Sequence, residues 1–286
     1  MQVSPSGYYA YASGKSYVLS PQKASVVEQV KAEFYRHRRR YGSRRIAAGL
    51  KAQGVTIGRR GVRTAMRAAD LRAIQARRYV PRTTDSRHTT APSPNLLLTG
   101  ENKARQPAEV IVGDITYLPL ASGKWSYLAS WQDQFSKRVV GWAVAERMTE
   151  DLVICALAKA VASSSVKTGT IIHTDRGSQY VSTRFRELLK SAGCRQSMSR
   201  RGNCYDNAQA ESFFSRFKAE VLEGGVFEDV SQARSETFSY VEGYYNRERR
   251  HSALGYKSPD EFEREYNITK KGASSESFVS GKEGVR

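Results

Sequence analysis

Apolar residues recur with two different periods along the chain, and the change of period divides it in two. In residues 22–74 they recur every three or four positions, as in the stripe of Val26, Val27, Val30 and Phe34, which indicates amphipathic helices. Further along, runs rich in β-branched and aromatic residues take over, beginning with VIVGDITYLPL, KWSYLASWQDQ and KRVVGWAVAE. The pattern therefore predicts an all-α region followed by an α/β region.

The order of elements in the α/β region predicts its sheet. Short connections at Gly123 and at Phe135 and Ser136 favour an antiparallel meander of the first three strands. The elements that follow are helix DLVICALAKAVASS, strand TGTIIHTD, helix FRELLKSAG, strand RQSMS and helix AQAESFFSRFKAE. This is the order of an RNase H-like fold, as in integrase catalytic cores. We therefore expect a mixed five-stranded sheet with helices.

These patterns also set the domain boundaries. The predicted parts are a weakly structured lead-in at 1–21, a helix-turn-helix-like domain at 22–74, a mostly extended basic linker at 75–105, an RNase H-like core with a C-terminal helix at 106–265, and a disordered tail at 266–286.

Two short helices separated by a tight turn, SRRIAAGLKAQ and RRGVRTAMRAADL, resemble a helix-turn-helix. In the second, three arginines share one face and three apolar residues can face inward, as a recognition helix in a major groove requires. These residues are Arg60, Arg63 and Arg67 on the basic face and Val62, Ala65 and Met66 on the apolar face. A solvated basic face on a structural helix bundle has the same composition. The DNA contacts predicted in this domain are Arg44, Arg45, Arg59, Arg60, Arg63 and Arg67.

Basic residues are concentrated in the first third of the chain. Of 46 Lys and Arg and 28 Asp and Glu residues, 19 and 4 respectively lie in residues 1–95, a surplus of 15 out of the total of +18. This asymmetry predicts a polyanion-binding module attached to a near-neutral globular part. The chain has no run of 18 apolar residues and no apolar signal core, and its three cysteines lack metal-like spacing. We therefore expect a cytoplasmic protein that does not enter a membrane.

Three carboxylates stand at positions where they can meet. Asp175 ends the apolar run GTIIHT, Asp114 lies inside the first strand-like run, and Glu211 lies on a later helix. In the predicted sheet the two aspartates occupy neighbouring central strands, and Glu211 can reach across from the packed helix. Carboxylate oxygens are the ligands that Mg²⁺ prefers. Two such ions about 3.5–4 Å apart can activate an attacking oxygen and stabilise a leaving oxygen in phosphoryl transfer.

Four stretches of the sequence resemble the downstream, OrfB-type transposases of the insertion sequence 3 family, which carry a DDE catalytic core. The stretches are RRRYGSRRIAAGLKAQG, GDITYL, HTDRGSQYVS with SRRGNCYDNAQAESFFSRFKAE, and YYNRERRHSALGYKSPDEFE, and together they span residues 38–263. Thirty-five residues separate Asp175 from Glu211, as in the family's DD(35)E signature. The resemblance implies that Asp114, Asp175 and Glu211 form the catalytic, metal-binding triad.

The resemblance also implies an activity and partners. It implies nicking at the end of a bacterial insertion sequence and attack by the freed 3′ hydroxyl, with two Mg²⁺ ions per site and Mn²⁺ as a substitute. The partners are double-stranded DNA (the element's terminal repeats and the target) and further copies of the chain, as a homodimer or higher oligomer. An upstream OrfA portion, which this sequence lacks, is expected as a fusion or as a partner.

Residues close to the three carboxylates each have two interpretations. Lys218, seven positions after Glu211 on the same helical face, is a phosphate contact or an exposed surface lysine. His173 points to the same side of its strand as Asp175 and either supports that acid or is a packed, hydrogen-bonded core residue. Arg176 occupies the turn after the strand, where a DNA backbone can pass.

Four more polar residues complete the predicted set. Asn207 precedes the helix of Glu211 and either caps it or contacts DNA; we prefer capping by Asn207 or its neighbour Asp206. Asp133 ends a strand and is assigned a structural hydrogen-bonding role. Arg249 and Arg250 belong to a basic helix end, where they complement the helix dipole, contact the DNA backbone, or do both.

Two other functions remain open at this point. A non-catalytic, sequence-specific DNA-binding regulator would use only the basic N-terminal domain and would have no use for three convergent carboxylates. A nuclease of the same fold would hydrolyse DNA without joining strands. The motifs and their spacing favour the transposase.

Overall fold

The computed structural model describes residues 4–14, 21–75, 92–98, 102–200 and 207–279. The chain forms two compact units, Met1–Gln75 and Ala76–Arg286. Within the described residues, no helix is both long enough and apolar enough to cross a lipid bilayer.

The first unit is helical. Its helices are α1 (Pro5–Ala12), α2 (Pro21–Arg36), α3 (Ser43–Ala52) and α4 (Arg59–Ala68). Helix α1 corrects the prediction of a weakly structured lead-in. It begins where the Ser4 side chain accepts a hydrogen bond from the Gly7 amide at 3.2 Å, with a proline at its start.

Helices α2, α3 and α4 pack around a small apolar core that contains Val30, Phe34, Ile46, Leu50 and Val62. The three apolar residues predicted to face inward from α4 are all buried, which confirms the orientation of that helix. Four arginines of α4, Arg59, Arg60, Arg63 and Arg67, are exposed on its other side.

A buried carboxylate joins α2 to α3. A Cβ atom added at Gly49 would lie only 2.0 Å from Glu33 Oε1, so only glycine allows α3 to approach so closely. Glu33 accepts a hydrogen bond from Gln53 at 2.8 Å and lies 3.2 Å from His37 Nε2. Burial alone would raise the pKa of Glu33, but its bonds with His37 and Gln53 outweigh burial and lower the pKa.

The second unit contains a mixed five-stranded sheet, as the sequence predicts. Its strands are β1 (Val110–Pro119), β2 (Trp125–Asp133), β3 (Val139–Ala145), β4 (Ile171–Thr174) and β5 (Arg195–Met198). Their order across the sheet is β3-β2-β1-β4-β5. The pairs β1–β2 and β2–β3 are antiparallel, which confirms the predicted meander, and β1–β4 and β4–β5 are parallel.

Two apolar clusters lie against this sheet. Helices α5 (Glu150–Ala162) and α6 (Thr183–Ser191) contribute to the cluster that surrounds Trp131. Helices α7 (Ala208–Phe217) and α8 (Val230–Phe238) contribute to the cluster that contains Trp142 and Phe217. The sheet is therefore buried between apolar side chains, and its central strand β1 is paired on both edges.

The spacing of Phe238, Val241 and Tyr245 predicts one apolar face of a regular helix, but the segment after α8 differs from it. Residues Ser239–Tyr245 form a π-helix, whose hydrogen bonds reach one residue further than those of an α-helix. The phase of the apolar stripe changes there. Val241 and Tyr245 are buried as predicted, whereas Phe238 is 60% exposed.

Much of the predicted linker, residues 76–91 and 99–101, lies outside the described residues, and the predicted disordered tail requires correction. Residues 92–98 are fastened along β5: the Ser93 hydroxyl donates to Gln196 Oε1 at 2.7 Å, and the Leu96 amide donates to Ser197 Oγ at 3.0 Å. Helix α9 (Pro259–Val279) runs well into the predicted disordered tail. It does so because Tyr266 and Lys270 contact Gln106 and hold the helix on the second unit.

Candidate active site

The parallel pairing of β1 and β4 places the two aspartates side by side. Val112 pairs with His173 in the parallel register. Asp114 and Asp175 each stand two residues beyond that pair. They therefore lie next to each other and on the same face of the sheet as Val112 and His173. The predicted placement of both acids on adjacent central strands is confirmed.

The backbone beside Asp114 is fixed by the core. A Cβ atom at Gly113 would lie 2.1 Å from the Trp131 ring, so the indole occupies the space that any other residue would fill. Trp131 stacks on Phe185 at a centroid distance of 5.8 Å, and its Nε1 donates to the Val153 carbonyl at 3.3 Å. Asp114 therefore stands on a part of β1 that has little room to move.

Backbone amides orient both aspartate side chains. Asp114 Oδ1 accepts a hydrogen bond from the Ile115 amide at 2.8 Å. Asp175 Oδ1 accepts one from the Gly177 amide at 2.9 Å, in the turn that follows β4. These bonds stabilise the ionised carboxylates and hold their rotamers.

Glu211 lies in the first turn of α7, and its side chain is exposed. Two amides fix the start of that helix against the sheet. Asn207 Nδ2 donates to the Gly113 carbonyl at 3.3 Å, and Gln209 Nε2 donates to Gln132 Oε1 at 2.9 Å and to the Asp133 carbonyl at 3.0 Å. The helix is thus positioned by contacts made two and four residues before Glu211.

The predicted side-chain cap at Asn207 is wrong. Asn207 occupies the N-cap position of α7, but its side chain makes no capping bond there and instead spans to β1. The backbone acceptor next to Asp114 attracts the amide because both groups are buried and each needs a partner. Asp206, the other capping candidate, lies outside the described residues.

The three carboxylates act on one another electrostatically. Burial raises the pKa of Asp114 well above its usual range, and the charges of Asp175 and Glu211 raise it further, against the opposing hydrogen bond from Ile115. Burial and Asp175 also raise the pKa of Glu211. Burial lowers the pKa of Lys218, and the charge of Asp114 opposes that change. The charge of each acid therefore acts on at least one of the other two, and Lys218 interacts with Asp114.

The chemistry of this donor set suits a hard divalent cation. All three groups offer carboxylate oxygens. Burial raises the pKa of Asp114 and of Glu211, and the charge of Asp175 adds to both shifts, so a divalent ion bound there would offset both the burial and the repulsion of the ionised forms. In the part of the chain that the structure describes, no three such ligands are already gathered around one point. Mutual repulsion between carboxylates opposes a tighter grouping.

Tyr180 is a polar residue of this region that the sequence patterns did not single out. Its side chain is 1% exposed and packs edge-on against Trp131 and Phe185. Burial raises the pKa of Tyr180 well above its usual value, and the charges of Asp114 and Asp175 add to the effect. Among the described residues its hydroxyl has no hydrogen-bond partner.

Because that hydroxyl is buried and unpaired, Tyr180→Phe is expected to leave the free energy of unfolding unchanged or to raise it by up to about 1 kcal/mol. Tyr180→Leu is the matched comparison, because it removes the ring as well and should destabilise the unit by about 3 kcal/mol. Urea denaturation followed by tryptophan fluorescence measures both variants. A loss of more than about 1 kcal/mol in Tyr180→Phe would show that the hydroxyl stabilises the fold.

His173 and Arg176 fix the chain around Asp175. The two ring nitrogens of His173 lie 2.8 Å from Ser197 Oγ and 3.2 Å from Ser199 Oγ, so the histidine is a packed, hydrogen-bonded residue between β4 and the end of β5. Arg176 Nε donates to the Ser199 carbonyl at 2.8 Å. That bond connects the turn after Asp175 to the segment that follows β5.

Arg249 does not have the DNA-contacting role predicted for it. It is 2% exposed, and its Nε and Nη2 donate to the two carboxylate oxygens of Glu220 at 2.9 and 2.5 Å. The Tyr240 hydroxyl donates to the same carboxylate at 2.8 Å. We call Glu220, Tyr240 and Arg249 the Glu220 network. Its geometry leaves the guanidinium turned inward, where phosphates cannot reach it.

The remaining predicted positions are placed as follows. Arg250 is half-buried, and its Nη1 donates to the Tyr256 carbonyl at 2.9 Å. In the first unit Arg44 is exposed, and Arg45 lies over the Tyr41 ring at 5.6 Å. The structural role of Asp133 is confirmed, because its carboxylate accepts bonds from the amides of Ala108, Phe135 and Ser136.

Comparison with known proteins identifies both parts of the chain. Residues 104–204 and 192–259 match two family models that are each described as an integrase core domain, and residues 21–79 match an HTH-like domain. The catalytic core domain of HTLV-2 integrase in complex with magnesium aligns with a TM-score of 0.42 and 18% identity, over 56% of this chain and 99% of that chain. The protein is thus a polynucleotidyl transferase of the DDE type, an integrase core preceded by a helical HTH-like domain.

Relatives identify the family within this class. The chain is 40% identical to the transposase for insertion sequence element IS904 of Lactococcus lactis, over 84% of this chain and 93% of that protein. It is 37% identical to transposase InsF for insertion sequence IS3A of Escherichia coli, over 92% of this chain and 91% of that protein. The chain belongs to the transposases of the insertion sequence 3 family.

Proposed function

We propose that Asp114, Asp175 and Glu211 are the catalytic residues with which this transposase nicks the ends of its insertion sequence and transfers the freed strands. The observation that supports this proposal is the parallel pairing of β1 with β4, which brings Asp114 and Asp175 side by side, while Asn207 and Gln209 hold the start of the Glu211 helix against the same sheet. Asp133, another acid at a strand end, is not proposed as a ligand, because its carboxylate already accepts hydrogen bonds from backbone amides.

The residues divide the work by position. Asp114 and Asp175, on adjacent strands, would hold two divalent cations together with Glu211 from α7. When bound, two Mg²⁺ ions, or Mn²⁺ in their place, supply the charge neutralisation and oxygen activation that phosphodiester cleavage requires. The hydrogen bonds of Asn207 and Gln209 hold the start of α7, and with it Glu211, against the sheet. The tight packing of Gly113 on Trp131 restricts the movement of the backbone at Asp114.

The reaction proceeds in two displacements at phosphorus. A water oxygen first bonds to the phosphorus at the element's end, and the P–O bond to the 3′ oxygen breaks, which frees a 3′ hydroxyl. The oxygen of that hydroxyl then bonds to a phosphorus at the opposite end and loses its proton, while the P–O bond to the 3′ oxygen of the flanking strand breaks and that oxygen is protonated. The product is a branched figure-eight and later an excised circle, which inserts elsewhere. No covalent bond to the protein forms, so no nucleophilic side chain is needed.

The proposed partner is double-stranded DNA, as terminal repeats and as target. The exposed arginines of α3 and α4 would contact terminal DNA, and Lys218, Arg176 and Arg250 are the proposed backbone contacts near the core. We also propose an assembly of at least two chains together with the upstream OrfA portion, acting on DNA in the bacterial cytoplasm.

The test uses labelled DNA that carries the terminal repeats, incubated with the full chain and the upstream frame in Mg²⁺. The expected result is that joined strands form in Mg²⁺ and do not form when EDTA is present from the start. Nicks without joining, in Mg²⁺ or Mn²⁺, would favour a nuclease. Binding without any cleavage would favour a DNA-binding regulator.

A further inference from the structure

A wide depression lies at the opposite end of the strands from the carboxylates. It has a volume of about 940 Å³ and is formed where β1, β4 and β5 begin, with helix α9 beside it. Its floor includes Val110, which is four residues before Asp114 on β1. At the usual rise of a strand, that separates the depression from the triad by roughly 13 Å along β1.

The rim of this depression is strongly basic. Six exposed cations line it: Lys103, Arg105, Lys167, Arg195, Lys270 and Lys271. The one acidic residue of the lining, Glu109, is half-buried and accepts hydrogen bonds from the Arg105 and Gln106 amides. Residues 96–286 as a whole carry a surplus of only +3, so the cluster does not follow from the composition of this part of the chain.

The elements that carry these cations are held in place by hydrogen bonds. Thr170 Oγ1 donates to the Ala108 carbonyl at 2.7 Å and accepts from the Lys167 amide at 2.9 Å, while the Arg195 amide donates to the Thr170 carbonyl at 2.8 Å. These bonds fix the backbones of Lys167 and Arg195 relative to each other and to the start of β1.

Helix α9 is fastened to the same floor. Lys270 Nζ donates to Gln106 Oε1 at 2.6 Å and lies 5.9 Å from the centre of the Tyr266 ring, and the Tyr266 hydroxyl donates to the same Gln106 oxygen at 3.4 Å. The cations of α9 and those of the strand ends therefore face one depression with a defined spacing.

We propose that this basic depression binds the phosphate backbone of a duplex DNA segment other than the one at the carboxylates. The inference rests on the proposed function, in which two DNA segments are held at once. Amide and hydroxyl groups also line the depression, and they complement phosphate oxygens. An extended polyanion suits six separated cations better than a small anion does, and the many charged and polar residues of the lining favour DNA over an acidic peptide anchored by apolar side chains.

A protection experiment tests the site directly. The full chain carrying Asp175→Asn, so that DNA stays intact, is treated with an amine-acetylating reagent with and without duplex DNA, and each lysine is quantified by mass spectrometry. DNA is expected to reduce acetylation of Lys167 and Lys271 at least threefold and to leave Lys124, at the β1–β2 turn, unchanged. Equal reactivity of Lys167 with and without DNA overturns the inference. Protection by polyglutamate but not by DNA overturns the choice of ligand.

A matched pair of variants gives a second measurement. K167Q/R195Q and the control K124Q/R264Q each remove two exposed charges, but only the first pair lies in the depression. The slope of log affinity against log salt should become shallower by about 2 in the first pair, since each lost phosphate contact contributes about 0.9, and should not change in the control. Identical slopes in both pairs contradict the proposal.

These results are separable from catalysis. If the lysines are not protected but the unsubstituted chain joins strands in a metal-dependent reaction, the depression is not a DNA site and the proposed activity stands. Protected lysines in a chain that never cleaves would support the site and count against the proposed activity.

Discussion

Replacing Glu211 by Gln is expected to lower the rates of nicking and strand joining by on the order of 10³-fold, about the loss seen when one group that stabilises a transition state is removed. The amide keeps the size of the side chain but loses the charge that would bind a divalent cation. Glu211 is exposed in the first turn of α7, so the substitution removes no packing. Stability and DNA binding should therefore stay the same.

The control for this variant is Glu236→Gln. Glu236 is also an exposed glutamate on a helix of the second unit, α8, but it is far along the chain from the triad. The activity of the Glu236→Gln variant should match that of the unsubstituted chain. Calorimetric titration with Mn²⁺ gives a readout that does not depend on turnover: Glu211→Gln should bind more weakly than Glu236→Gln. If Glu211→Gln retains activity within a few-fold, another residue must complete the site.

The second large effect is on stability. Arg249→Ala is expected to lower the free energy of unfolding of the second unit by about 3–5 kcal/mol, because it leaves Glu220 buried without its cation. All three tryptophans, at positions 125, 131 and 142, lie in this unit, so their fluorescence in urea reports its unfolding alone. Arg247→Ala, at an exposed position two residues earlier, should change stability by no more than about 0.5 kcal/mol.

A double substitution separates the charge from the packing. Arg249→Met combined with Glu220→Leu removes both members of the buried pair, and it should recover most of the stability lost in Arg249→Ala. Strong coupling between the two positions is therefore expected in a double-mutant cycle. If Arg249→Ala unfolds at the same urea concentration as the unsubstituted chain, the Glu220 network contributes nothing to the fold.

The sheet was predictable because its signals are local. Runs rich in β-branched and aromatic residues, joined by short turns, predicted β1 to β3, and β4 is followed directly by the acid that the register places next to Asp114. The position of Glu211 followed from helical spacing. Each of these inferences depends on residues a few positions apart, where backbone geometry alone decides which way a side chain points.

The misassigned residues depend on contacts that are distant in sequence. Arg249 appears as one of several arginines at a helix end, and nothing near it shows that Glu220, 29 residues earlier, takes its charge. The bond from Asn207 to Gly113 crosses 94 residues, and the burial of Tyr180 requires the tertiary core. A polar residue can be assigned to solvent, ligand or core only when its surroundings are known.

The order of synthesis gives the Glu220 network a further consequence. The ribosome releases Asp114 and Asp175 well before the segment that ends at Arg249, and Glu220 has its buried partner only after that segment has emerged. Domains fold as they leave the ribosome, at about 5–20 residues per second. A nascent or prematurely terminated chain would therefore carry all three acids and still lack the contact that secures the end of the segment bearing Glu211. An interrupted translation product would then be less stable at the end of that segment than the finished chain.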